Sequence, residues 1–221
     1  MQLSLENIEQ AFVQIEDAVT TIFNENCLPF VIGGDGAIGL PQMRALHKKH
    51  GEIPIVHIDA HTDAWAIDSN TPFTNANQFT HAITEGLIDQ SAALHIGTRG
   101  PITANAAIKH ARDMGYEVIA IEQYFEMGVD KVVQYIHQLV AGKPVFICYD
   151  MDFFDPAMAP GVATLTPGGA LPSEGIVLMR SLKDLNIVGM DINTTNLLHD
   201  PAGVSANLAA TLIAEGLGVL S

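Results

Sequence analysis

Basic residues are scarce in this chain: ten Lys and Arg stand against 25 Asp and Glu, for a formal net charge of -15. A nucleic-acid surface needs clustered cations to meet the phosphates, so no nucleic-acid partner is expected. Cysteine is nearly absent as well. Only Cys27 and Cys148 occur, each inside an apolar run, which predicts two reduced core thiols in a cytoplasmic protein rather than a disulfide framework. No stretch is long and apolar enough for a membrane span, because the most apolar tail, 204–220, is broken by Asn207, Glu215 and glycines. The opening MQLSLENIEQ lacks the basic and apolar succession of a signal peptide. Internal repeats, low-complexity tracts and long polar linkers are also missing. With 221 residues, 48% of them apolar, the chain is expected to form a single domain over 1–221.

What is present is an alternation of two periodicities. Ile8, Phe12, Ile15, Val19 and Ile22 step by four and three, lining one face of a helix from about Leu5 to Asn24. CLPFVIGG then reads as a short buried strand closed by glycines. The pattern continues with a helix at 36–50, a strand at 53–59, a strand at 92–98 and a helix at 103–114. Strands at 116–122, 144–150 and 186–192 follow, with helices at 129–140, 173–183 and 204–217. Strands alternating with helices imply right-handed crossovers and a mostly parallel sheet covered on both faces, a three-layer α/β/α fold. Ligands bind such sheets where strands end. The two long loops, 66–77 and 154–171, both follow acid-rich strand ends.

Those ends carry the chemistry. VHIDAHTDAW sets Asp59, His61 and Asp63 at alternate positions as a strand finishes, and YDMDFFDP repeats the arrangement with Asp150 and Asp152. One Asp at a strand end is ordinarily a turn former or a cap. Four carboxylates brought together repel one another unless a cation neutralises them. The five residues are therefore candidate metal ligands, and oxygen donors with one imidazole suit Mn(II), with Zn(II) or Fe(II) as alternatives. Acids gathered in a cleft also favour a small cationic substrate.

The strings GGDGAIGL, VHIDAHTDAW, YDMDFFDPAMAPG, TPGG and LKDLNIVGMD, spread over nearly the whole chain, resemble the arginase and agmatinase (ureohydrolase) family, bacterial agmatinase most of all. The resemblance implies an arginase-like fold in a homo-oligomer, and two manganese ions sharing a hydroxide that attacks a guanidinium carbon and releases urea, as in polyamine metabolism. It places Asp59 and Asp150 as bridging ligands, His61 and Asp152 completing one site, and Asp63 in the other. Two metals about 3.5 to 4 Å apart make such a hydrolysis possible without a protein nucleophile.

Departures from the family pattern are specific. Gly36 stands where the family has a ligand histidine, which leaves one site with Asp59, Asp63, Asp150 and water, and keeps one bound metal open beside two. Asn75 stands where agmatinases carry a proton-shuttling histidine; His81, six residues on, either approaches the site or is a surface or capping residue. Thr194 replaces a substrate-gripping glutamate, removing a charge-assisted contact to a guanidinium. Trp65 either covers a cationic substrate or packs under its loop. The candidate catalytic groups are thus Asp63 and His81, and the candidate substrate contacts Thr194, Asn75 and Trp65. The family's usual opening strand segment is missing before GGDG. Three readings stay open: a manganese ureohydrolase acting on agmatine or a related amidine, a one-metal hydrolase of another C–N bond, and a family member that binds metal without catalysis.

Overall fold

The computed structural model describes residues 3–4, 7–101 and 103–221. Helix α1 (Ile8–Asn24) begins on Asn7, whose side chain caps Gln10 N–H; the expected start at Leu5 lies outside the described residues. Six strands follow: β1 (Phe30–Ile32), β2 (Ile53–Ile58), β3 (Ile88–Thr98), β4 (Glu117–Ala120), β5 (Val145–Asp150) and β6 (Ile187–Asn193). All pair in parallel, in the order β1-β6-β5-β2-β3-β4. Parallel pairing requires a crossover between neighbours, and helices supply it: α2 (Gly39–His50), α3 (Gln78–Thr84), α4 (Thr103–Asp113), α5 (Ile121–Met127), α6 (Val129–Val140), α7 (Pro172–Arg180) and the closing α8 (Val204–Val219).

Period-two alternation divides the core into the expected layers. On β2, Val56 and Ile58 face a core built with α5 to α8, through Tyr124, Ile136, Leu178 and Leu212. Ile53 and Ile55 face the opposite way, toward Phe12 and Val19 of α1, Met43 and Leu46 of α2, and Phe79 of α3. From β2 the chain moves outward to β3 and β4, and from β5 outward to β6 on the other side. The C-terminal ends of β2 and β5 therefore flank a topological switch point, where α/β sheets leave a crevice.

Some boundaries differ from the periodicity. YEVIAIE is not one strand: β4 stops at Ala120 and α5 starts at Ile121, because Ile121 and Tyr124 bury at helical spacing. The stretch from Gly36 opens as a single 3-10 turn, capped by Asp35 accepting from Ala37 N–H, before α2 begins. Cys148 is buried as expected, but Cys27 is exposed in the loop after α1 rather than in the core. Among the described residues, no helix is long and apolar enough to cross a membrane.

Candidate metal centre

Sheet register builds the site in two rungs. His57 of β2 lies beside Cys148 of β5 on one side and His95 of β3 on the other, and Cys148 lies beside Asp191 of β6. In-register neighbours project to the same face, here the face of Ile53 and Ile55. Two residues further along, Asp59, Asp150 and Asn193 form the next rung. All of these side chains are buried, and all but Cys148 carry polar oxygen or nitrogen groups.

Beyond the strand end the chain turns sharply. His61 N–H donates to Asp59 Oδ1 at 2.7 Å, and its Nδ1 lies 3.2 Å from Asp59 Oδ1 and 3.3 Å from Asp152 Oδ2. Its Nε2 meets the Thr166 hydroxyl at 3.2 Å. Asp63 adopts a left-handed backbone conformation, φ +46°, and its Oδ2 accepts from Gln78 Nε2 at 3.1 Å. Asp59, His61 and Asp152 offer donor atoms that all lie within 4.8 Å of one another, and so do His57, Asp59 and Asp63.

Arg99 holds the second acidic loop in place. Its guanidinium, 6% exposed, donates to the carbonyls of Asp152 at 2.7 Å, Phe154 at 3.1 Å and Thr166 at 2.7 Å. Its charge is thus spent on backbone oxygens. Among the described residues no Lys or Arg forms an ion pair with the clustered carboxylates.

The electrostatic consequence is frustration. Burial together with the neighbouring Asp59 pushes Asp63, Asp150 and Asp152 above the usual carboxylate range. Asp191 is pushed up to about 7 by burial and by Asp150. Burial opposes ionisation of Asp59 too, but His57 beside it wins and holds it well below. His61 rises to about 11, because its bonds to Asp152 and Asp59 outweigh burial. Asp59 Oδ2 and Asp150 Oδ1 are buried with no hydrogen-bond partner. Uncompensated buried carboxylate oxygens converging with imidazole nitrogens fit a divalent cation of hard to borderline character.

The remaining candidates fall in different places. Trp65 is 41% exposed and lines a cavity of about 600 Å³ with His61, Thr98, Arg99, Glu122 and Leu165. Asn75 sits beside Gly36: a Cβ on that glycine would stand 3.6 Å from Asn75 Cβ, 3.6 Å from Asp63 Oδ2 and 3.4 Å from Gln78 Nε2. His81 departs from the expected approach to the cluster. Its Nε2 bonds the Pro72 carbonyl at 2.7 Å and its ring lies 4.7 Å from that of Phe73, so it pins the 66–77 loop. Thr194 likewise turns its hydroxyl inward, accepting from Met151 N–H and donating to the Asn193 carbonyl, each at 2.8 Å. Sequence reasoning passed over His57, Gln78 and Arg99. For His57 the signal was there, since it precedes Asp59 by one strand period.

Comparison with known proteins matches residues 1–218 to the Arginase family. Over 220 residues the chain is 31% identical to the human mitochondrial guanidino acid hydrolase, covering 100% of this chain and 62% of that protein. It is 32% identical to the mitochondrial agmatinase of Gallus gallus, covering 100% of this chain and 65% of that one. The chain thus spans less than two thirds of the length of these curated relatives. Among solved structures, proclavaminate amidino hydrolase from Streptomyces clavuligerus superposes with a TM-score of 0.91 at 31% identity, covering 99% of this chain and 73% of that chain.

Proposed function

The chain belongs to the arginase family, and from that premise we propose that it hydrolyses a C–N bond of a linear guanidino or amidine compound, agmatine or a relative, with release of urea. Manganese would be held by Asp59, His61, Asp63, Asp150 and Asp152 within one arginase-like domain over 1–221. The observation that carries this reading is the convergence of buried carboxylates at the ends of β2 and β5, two of whose oxygens have no hydrogen-bond partner.

When bound, the metal supplies Lewis acidity and an acidified water. The chain's own residues do the rest. Asp59 and Thr166 fix the His61 ring from both of its nitrogens. Arg99 ties Asp152 to the loop that carries Thr166. Among the described residues lining the cavity beside His61, Trp65 is the one Phe, Tyr or Trp and Glu122 the one carboxylate, and the pair suits a cationic substrate tail. Asp63, whose Oδ2 would stand 3.6 Å from a Cβ at Gly36, would help hold a second ion. Thr194 serves this site through the turn it holds, and His81 through the 66–77 loop.

A reading with one metal, or with metal and no catalysis, is favoured by a specific observation: Gln78 already donates to Asp63 where a second ion would draw on it. The experiment is a manganese count on the purified chain together with urea release from a panel of guanidino compounds, agmatine included. Urea from any member supports hydrolysis. Metal bound with no urea from the whole panel sinks it.

A further inference from the structure

The Gly36 side of the cluster cannot supply a nitrogen ligand. Gly36 carries no side chain; a Cβ there would meet Gln78 Nε2 at 3.4 Å and Asn75 Cβ and Asp63 Oδ2 at 3.6 Å, and the Gln78 amide N–H donates to Asp63. A buried imidazole, His57, stands on the same face and strand as Asp59 and groups with Asp59 and Asp63. We propose that His57 is a metal ligand in this chain, supplying the imidazole that Gly36 leaves out and forming one ion site with Asp59, Asp63 and Asp150. The inference rests on the preceding reading that divalent ions occupy the cluster.

Three observations carry it. His57 Nε2 lies 3.0 Å from Asp59 Oδ2 and 3.1 Å from Asp150 Oδ2. Two donors about 2.1 Å from one octahedral ion and at right angles stand about 3 Å apart, so both separations suit a shared ion, and the Asp150 contact also has the geometry of a hydrogen bond. Second, Asp59 Oδ2 has no hydrogen-bond partner despite its contact with that nitrogen. The atoms are close without being aligned for donation, as groups aimed at a common third point are. Third, His57 Nδ1 lies 2.8 Å from His95 Nδ1, and one proton must lie between them. With that proton on His57, its Nε2 is bare and its ring is oriented by a buried partner, the usual support of a ligating histidine. His95 is itself wedged between Phe79 and Tyr116, ring centroids 5.1 and 4.4 Å away. Of the histidines in the described residues, His57 and His61 alone belong to these candidate groups. The competing role for His57 is that of an N–H donor to Asp150, with no bond to metal.

Manganese titration separates the two roles without reference to turnover. The chelator-stripped full chain is titrated with Mn(II), and free ion is read by electron paramagnetic resonance. The expected result is two ions per wild-type chain, and for His57→Gln one ion retained on Asp59, His61, Asp150 and Asp152 with the other weakened at least about tenfold. His95→Phe, which removes the orienting acceptor, weakens the same ion by roughly 10-fold or more. A wild-type chain that binds one ion overturns the proposal, as does a His57→Gln chain that binds two with unchanged affinity. Should the buried substitution prevent folding, pulsed resonance on the manganese-loaded wild type decides: couplings from two imidazoles are expected, and coupling from one overturns the assignment. Two bound ions without urea release would fail the hydrolase reading and leave this one standing, whereas unchanged binding by His57→Gln would do the reverse.

Discussion

Asp63 concentrates the conflict between folding and function at a single side chain. Its φ of +46° is a conformation that Asn tolerates at least as well as Asp, and its buried carboxyl is pushed up by burial and by Asp59. Its Oδ2 accepts from Gln78, a bond an amide oxygen also accepts. Asp63→Asn therefore keeps the backbone preference and the hydrogen bond while removing a charge that only a cation can satisfy. In the metal-free protein at pH 8 this should stabilise the fold by on the order of 1 kcal/mol, raising Tm by about 2–4 °C. The same substitution should weaken manganese binding and cut hydrolysis at least about 100-fold. Calorimetry of the stripped variant, paired with a urea assay, tests both halves; a lower Tm or unaltered turnover contradicts this account. Asp63 was visible in the sequence because DAHTD alternates acid and imidazole. Gln78 was not, since nothing local distinguishes a glutamine at the start of a helix from a solvated one until α3 is packed against Gly36 and Gly39.

At the scale of elements, the loop between β5 and α7 behaves as a strap whose two ends, at 152–154 and 166–167, are tied together by Arg99. Arg99, just past β3, reaches the carbonyls of Gly97, Asp152, Phe154, Thr166 and Pro167. Hydrogen bonds to a charged donor are worth roughly 1.5–3 kcal/mol each, and removing it strands buried carbonyl oxygens. Arg99→Ala should cost about 3 kcal/mol or more, which is a Tm loss on the order of 6–12 °C, and should weaken manganese through Asp152. Arg99→Lys should recover only part of this, because an ammonium cannot reproduce the planar fork. Thermal melts and manganese titration of both variants check it, and equal behaviour of Ala and Lys would contradict the fork argument. The strands themselves were legible as apolar runs between glycines, and β2, β5 and β6 start within one residue of where periodicity puts them. Arg99 escaped because all its carbonyl partners but Gly97 lie more than 50 residues away, which no residue pattern encodes. The break between β4 and α5 escaped because a continuous apolar run fits a buried strand and a buried helix start equally well.

For the whole molecule, the clustered acids set the direction in which stability follows pH. In the metal-free fold Asp63, Asp150 and Asp152 are raised, Asp191 reaches about 7, and His57 and His61 are raised as well. An unfolded Asp has released its proton by about pH 4–5 and an unfolded His by about pH 7. Between those limits and pH 8 the folded chain binds more protons than the unfolded chain, so the free energy of unfolding falls as pH rises. His95, lowered by burial and by His57, and His50, lowered by burial and by Lys49, work the other way, but they are two groups against six. Asp59, held low, is ionised in both states across this window and adds no slope. Manganese reverses the trend, because ligand carboxylates must lose their protons to bind it and bound metal then stabilises the folded state by mass action. The Tm gap between manganese-loaded and stripped protein should therefore widen steadily from pH 5 to pH 8, with the stripped protein losing stability over that range. Asp191→Asn, which removes the proton lost near pH 7 while keeping an acceptor for the Gln42 amide, should flatten the stripped protein's decline. Paired melts across that range decide it: a gap that narrows as pH rises would mean that these carboxylates are neutralised by something other than metal.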